Sequence, residues 1–310
     1  MTARPPRRWI GPLCAVFGVL GFSFKAILIK LAYAAHPVDA VTLLALRMLY
    51  AAPFFVAMAW WATRSGGARP LTRDDWKDLA LLGFIGYYLS SLLDFMGLQY
   101  ITAGLERLVL FLYPTVVVVL SAIAYGKPIT RRTMAALVIS YAGIALVLAH
   151  DVRSAGDAAA VTRGGTLVFA SAFLYAIYLV RAGAVIARVG SMRFISWAML
   201  ASTVFVLIQF IATRDVRALA VPAKIHGIAL AMAVFSTVLP TWLIAESIRR
   251  LGANTASQIG SLGPVFTIGL GAMLLGEAIH GIQLVGAALV LAGVMLVTWK
   301  PGAATAAAQA

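Results

Sequence analysis

Two things are scarce in this chain: cysteine and charge. Cys14 is the only thiol among 310 residues, which excludes an intramolecular disulfide and any metal site built from a cysteine cluster. Charged residues make up 12% of the chain and hydrophobic ones 62%, whereas an ordinary soluble domain is about 25% charged and roughly 45–50% apolar. Apolar surface in that amount cannot be hidden in a soluble core of this size, so lipid is its natural solvent. Acidic residues are the scarcest charges, 11 against 25 basic ones. The resulting net charge of +14 does not indicate nucleic acid. The Lys and Arg residues stand in short clusters between apolar stretches, where a membrane protein keeps the residues that set its orientation. Enzyme signatures are also missing. No His-Glu-x-x-His pair occurs, and Gly126-Lys127 lacks the surroundings of a phosphate loop. His36, His150, His226 and His280 sit at the ends of apolar stretches, apart in sequence. The chain is therefore expected to be no enzyme, and to hold no metal and no cofactor.

What the chain does have is long apolar runs. A helix that crosses a bilayer needs about 20 consecutive apolar residues. Ten candidate spans meet that need, near 9–33, 40–62, 76–98, 102–125, 131–149, 164–188, 193–213, 226–247, 254–275 and 279–299. The longest connection, 150–163, is polar and rich in Gly and Ala, too short for a soluble domain. Arg4, Arg7 and Arg8 precede the first run, and Ala32-Tyr33-Ala34 has the small residues of a leader cleavage site. That run is too long for a leader and contains Lys25 and Lys30, so it is read as the first span. With the N-terminus placed inside, fifteen Lys and Arg residues fall in inside segments. Only five, Arg153, Arg163, Arg214, Arg217 and Lys224, fall outside. The bias predicts that both termini are cytoplasmic, which ten spans permit.

The chain also resembles itself. Displaced by 150 residues, positions 103–147 show 11 identities in 45 ungapped positions, among them Pro114 with Pro264, Gly126 with Gly276 and Gly143 with Gly293. Shared Pro and Gly positions mark shared backbone features. Residues 1–150 and 151–310 are thus expected to be two five-helix repeats. An odd number of spans inverts the second copy, a common transporter design.

Charges inside spans are the sharpest local signal, because each is costly in lipid and so faces a partner or a wet cavity. The chain has Lys25, Arg47, Asp94, Glu106, Arg107, Arg181 and Glu246 in such positions. At about 1.5 Å per residue, Arg47 lies roughly 10 Å below the outer face, Asp94, Glu106 and Arg107 roughly 6–8 Å, and Lys25 roughly 12 Å. Arg181 and Glu246 fall toward the inner side. These five basic and coupling residues, Lys25, Arg47, Arg107, Arg181 and Glu246, are candidates for structural or coupling charges, and near span ends a side chain can also snorkel to water. Helical spacing adds polar and aromatic neighbours: Tyr87, Ser91 and Asp94; Glu106 and Tyr113; Tyr178 and Arg181; Trp242 and Glu246; Asn254, Gln258 and Ser261. Of these, Tyr87, Ser91, Asp94, Glu106, Tyr113, Tyr178, Trp242, Gln258 and Ser261 are the candidate substrate-binding residues. The competing reading is structural: plain interhelical hydrogen bonding for the polar faces, and pairing of Arg47 and Arg107, at similar depth, with Asp94 and Glu106 to lock helices together. Pro114 and Pro264 fall near mid-span, where a proline removes a backbone hydrogen bond and kinks the helix.

Taken together, these features resemble the drug/metabolite transporter superfamily, with each half ending in an EamA-type repeat. The resemblance rests on the Pro-bearing fourth and ninth spans, Gly276-Glu277 after the ninth, the Ala-Gly pairs of the fifth and tenth, and Leu46-Arg47 in the second. Departures are Gly126-Lys127, where the family often has Gly-Glu, and Gly21-Phe22-Ser23-Phe24-Lys25 in the first span. The resemblance implies an all-α membrane protein of ten spans in the cell inner (plasma) membrane, surrounded by lipid. It implies a secondary transporter that exports a small polar metabolite such as an amino acid by alternating access. The coupling partner would be a proton or an exchanged solute. A multidrug or organic-cation exporter is the alternative within transport, and a non-transporting accessory or lipid-handling protein the alternative outside it. A fold of this kind does not fix the cargo, and nothing in the chain fixes an oligomeric state.

Overall fold

The computed structural model describes residues 9–64, 69–126, 129–154 and 156–298. Among them the chain is helical throughout, with no strand. Among the described residues nine helices are long and apolar enough to cross a membrane: α1 Ile10–Ala35, α2 Ala40–Arg64, α3 Arg73–Gly97, α4 Ala103–Tyr125, α5 Arg131–Ser154, α6 Ala158–Val189, α7 Ser191–Thr213, α8 Ala223–Leu251 and α9 Gln258–Leu275. A helical turn from Ala253 leads into α9. A tenth helix, α10 Gly281–Thr298, is apolar but shorter over its hydrophobic part, Gly281–Leu296. Helices suit such sequences because in lipid every backbone polar group must find its partner within its own segment.

The connections are short, so consecutive helices run antiparallel. The end of the bundle at which α1 begins is called here the near end, and the opposite one the far end. The 150–163 connection expected from polarity is largely helical. Asp157 caps α6 by accepting from the Ala160 amide at 2.9 Å, so the helix starts a turn and a half before the apolar stretch does. Polar residues can extend a helix where it leaves the lipid, and a hydropathy window misses them. At the far end Asp39, between α1 and α2, pairs with Arg214 after α7 at 3.1 Å. Partial burial alone would raise the Asp39 carboxyl. The Thr42 hydroxyl and amide and the Arg214 guanidinium outweigh that and hold it below its ordinary value.

Three buried apolar clusters organise the bundle. The largest lies where α1, α2, α3, α7 and α8 meet, around Phe55, Phe95 and Leu43. A second joins α4, α5, α6, α9 and α10, and a third joins α3, α6 and α7 at the near end. Two helix pairs approach closely through small residues. A Cβ on Gly143 would stand 2.8 Å from the Gly286 carbonyl, bringing α5 hard against α10. On α3 and α6, Ser90 and Ser171 each reach the other's backbone carbonyl, at 3.2 and 2.8 Å. Close contact of small residues and hydrogen bonds are what hold helices together where lipid offers no hydrophobic drive.

Several backbone irregularities recur at the 150-residue displacement, although a π stretch at Gly271–Leu275 in α9 has no counterpart in α4. A π-helical stretch occupies Gly83–Leu89 in α3, and another Val234–Val238 in α8. α4 is interrupted at Phe111 and Leu112, and α9 at Ser261 and Leu262, each break lying just before the Gly-or-Tyr-Pro pair that starts the next helical segment. The Leu112 amide donates to Val109 at 3.1 Å and the Leu262 amide to Ile259 at 3.0 Å. Gly126 and Gly276 end these helices at φ 63° and 67°, the left-handed conformation that glycine adopts without strain.

Candidate functional site

The polar centre of the molecule is assembled from α1, α3, α4 and α9. α4 starts sharply because Thr102 caps it, accepting from the Leu105 amide at 3.1 Å. The Glu277 carboxylate, reaching across from the turn after α9, accepts from the Ala103 and Gly104 amides at 2.9 and 3.4 Å. A carboxylate there satisfies orphan amides and complements the helix dipole. Lys30 of α1 donates to the neighbouring Ile101 carbonyl at 3.0 Å. This fixed start places Glu106 and Arg107 one turn into α4.

Glu106 is wholly buried and Asp94, on the last turn of α3, is 1% exposed. Between them stands Lys25. Its Nζ lies 2.7 Å from Asp94 Oδ2 and 3.7 Å from Glu106 Oε1. The other Glu106 oxygen, Oε2, is 3.8 Å from Arg107 Nε. Arg107 itself is turned elsewhere: Nε donates to Thr267 Oγ1 of α9 at 3.1 Å and an NH2 to the Phe22 carbonyl of α1 at 2.7 Å. Thr267 and Ser23 hydroxyls both donate to the Gly263 carbonyl at 3.1 Å, at the break in α9. Arg47 of α2, 5% exposed, has its guanidinium 5.2 Å from the Phe95 ring centroid. Phe95 follows Asp94 on α3. Ammonium and guanidinium groups over a ring face are held by its quadrupole.

The cluster is incompletely satisfied. Arg47 Nε, Asp94 Oδ1 and both Glu106 oxygens are buried with no hydrogen-bond partner among the described residues. Most buried polar atoms have one, and an exception calls for an explanation.

On the near-end side of the charges lies an aromatic cluster. The Tyr87 and Tyr178 hydroxyls are 2.8 Å apart, Tyr175 stacks on Tyr178 at 5.4 Å, and Tyr113 meets Tyr175 edge-on at 5.2 Å. Thus Tyr87, Tyr113 and Tyr178, expected on three separate helix faces, converge around Tyr175, a residue that spacing did not single out.

Other expected residues lie apart. Ser91 is half-buried, and it is its neighbour Ser90 that bonds to α6. Arg181 and Gln258 are exposed, and Trp242 is 53% exposed. Glu246 is held by its own helix, 2.6 Å from Arg249 and from Arg250. Ser261 Oγ donates to the Gln258 carbonyl at 2.6 Å, within the break of α9. The Asn254 side chain lies outside the described residues. Pro114 and Pro264 sit in the first turn of the segments that follow the breaks, so each marks the restart of an interrupted helix rather than a bend in a continuous one. The histidines, scattered in sequence, are partly brought together: His150 and His280 rings lie 5.0 Å apart, and His226 bonds to Tyr50 at 2.9 Å.

Comparison with known proteins bears on this geometry. The model of the EamA-like transporter family matches residues 9–149 and 162–299. A Bacillus subtilis (strain 168) protein named "Uncharacterized transporter YcbK" is 31% identical over 284 residues, covering 89% of this chain and 88% of that protein. A Streptantibioticus cattleyicolor protein named "Probable terminal-alkyne amino-acid exporter" is 30% identical over 254 residues, covering 78% of this chain and 79% of that protein. A crystal structure 18% identical in sequence superposes with a TM-score of 0.62 over 92% of this chain and 95% of the other, which speaks for the fold alone.

Proposed function

The chain belongs to the EamA-like transporter family, and from that premise we propose that it exports a small polar metabolite, such as an amino acid, across the inner (plasma) membrane by alternating access. In this reading it has ten spans in two inverted repeats, 1–150 and 151–310, with both termini in the cytoplasm. The near end is then the cytoplasmic end. Transport of some solute is what the family and the relatives' names support. The amino-acid class draws on the named exporter and on the site.

The observation that carries the reading is the buried cluster of Lys25, Asp94, Glu106 and Arg107. A bundle that needed only to be stable would gain little from charges sealed at this depth, each costing about 2.5–3.5 kcal/mol to insert on translocon scales. Here they stand together, incompletely satisfied, beside tyrosines from three helices. Such a surface suits a solute with charged and apolar parts. The recurrence of π stretches, helix breaks and left-handed glycines at 150 residues supports the repeat reading, since two-fold related halves are how such transporters expose one site to either side. The chain has no phosphate loop, so a proton or an exchanged solute is the proposed source of energy.

The test is transport in proteoliposomes loaded with a library of metabolites, including all twenty amino acids. Efflux of amino acids that Glu106→Gln abolishes is the expected result. Transport of lipophilic cations alone would favour the organic-cation reading, for which two carboxylates beside four tyrosines also provide. No movement of any solute would favour an accessory or lipid-handling role.

A further inference from the structure

We propose that the Lys25 ammonium occupies the place that the cargo's primary amine takes, so that loading is an exchange of partners at Asp94 and Glu106. This rests on the transport reading above and adds to it a role for one residue. One ammonium serves two carboxyl groups here, at 2.7 and 3.7 Å. Asp94 Oδ1 and both Glu106 oxygens remain buried without a hydrogen-bond donor. A second primary ammonium brings three donors of the kind these oxygens lack.

The three cations nearby differ in their freedom to move. Arg107 is fixed at both ends of its guanidinium by Thr267 and the Phe22 carbonyl, and Arg47 is packed over Phe95. Lys25 is a point charge on a flexible stem, and such a charge changes partners without losing a fixed geometry. Its side chain is also the least buried of the group, 19% exposed against 2% and 0% for its partners.

Charge accounting then selects the ligand. Lys25 and Arg107 already stand as two cations against the two carboxyl groups, so a zwitterionic amino acid inserted between Lys25 and the carboxyl pair leaves no group without a counter-charge: its ammonium takes Lys25's place at Asp94 and Glu106, its carboxylate takes Lys25, and Arg107 stays beside Glu106. A simple amine would strand Lys25. A simple acid would strand the carboxyl pair.

Two measurements on the purified full-length protein test the exchange. In the first, thermal stabilisation by each of the twenty amino acids is titrated, and the strongest is compared with its N-acetyl and methyl-ester derivatives. Each derivative should bind at least tenfold more weakly than the free amino acid. Equal affinity for the N-acetyl form, or stabilisation by none of the twenty, would overturn the proposal. In the second, Lys25→Ala and the milder Lys25→Gln are melted with methylammonium or tetramethylammonium chloride. Methylammonium should recover at least half of the lost melting temperature in Lys25→Ala, and tetramethylammonium, which has no N–H, should not. Recovery by neither or by both would show Lys25 to be a static brace. Rescue in a protein that moves no solute in proteoliposomes would instead leave the exchange site standing and remove only the transport reading.

Discussion

Arg47 and Glu106 are both buried charges on helices that meet at the same centre, yet their removal should have different consequences. Arg47 is not within ion-pair distance of Asp94 or Glu106; it is packed over Phe95 and adds a positive field beside Asp94. Arg47→Ala should therefore lower the folded yield and the detergent melting temperature, with a loss of about 0.5–2 kcal/mol from the ring contact alone, and transport should fall with it. Glu106→Gln keeps the shape, removes the charge and replaces one of the two unpartnered oxygens by an amide NH2. It should leave the folded yield largely intact while reducing transport at least tenfold, and unchanged transport would remove Glu106 from the site. The sequence shows these charges as outliers within apolar runs, but it does not show how they pair. Counting residues along straight helices separates Lys25 in depth from Asp94 and Glu106, and points to Arg47 and Arg107 as their partners. A lysine stem closes that gap, and Lys25 becomes the common partner of both carboxyl groups. Glu277 was likewise visible only as half of a Gly-Glu pair. Its contact with the first amides of α4 joins segments more than 170 residues apart, which no local pattern reveals.

Helices are where the sequence is most legible, because lipid leaves an apolar stretch of that length few alternatives. Their interruptions are much less so. The π stretches at Gly83–Leu89 and Val234–Val238 and the breaks at 111–112 and 261–262 keep an apolar composition, so hydropathy passes over them. One extra residue per turn in α3 also shifts the faces counted from spacing, which is why Tyr87 meets Tyr178 while Asp94 meets Lys25. Only the prolines signal the breaks. Without an N–H, Pro114 cannot donate to the Leu110 carbonyl, nor Pro264 to that of Gly260. Pro114→Ala and Pro264→Ala should each let its helix close across the break, and Pro264→Ala should also displace Gly263, whose carbonyl receives Ser23 and Thr267. Transport should then drop more than the yield of folded protein, and a proportional loss of both would leave the prolines a packing role. The α5–α10 pair offers the converse case. Gly286 faces Val147 and the Gly143 carbonyl with no room for a Cβ. Gly286→Leu should separate the two helices and reduce the folded yield itself, as read by size-exclusion chromatography in detergent.

Across the whole molecule, two asymmetries point to the same side. The inside segments of the proposed topology hold fifteen Lys and Arg residues against five outside. The tryptophans follow them: Trp9 begins α1, Trp60 and Trp61 lie near the end of α2, Trp76 and Trp197 begin α3 and α7, and Trp242 lies in the later part of α8. Each is on the near-end side of its helix, and Trp9, Trp60, Trp61, Trp76 and Trp242 are exposed, as suits rings at the level of lipid headgroups. Some of these residues also pack, as Trp76 does against Trp197 and Arg188 against Asp75; the charge bias speaks to orientation, and the tryptophans mark the headgroup level at the near end. The proposed topology puts residue 156 outside and residue 302 in the cytoplasm, on opposite faces of the membrane. Single cysteines introduced by Gly156→Cys and Gly302→Cys can report this once Cys14, which is buried and the only native thiol, is replaced by Ala. In intact cells a membrane-impermeant maleimide should label the cysteine at 156 and reach the one at 302 only after the membrane is opened. Labelling of both from one side would mean an even number of crossings between them. The halves could then not be inverted copies with both termini inside, and the matched breaks in α4 and α9 would have to be explained without a two-fold relation.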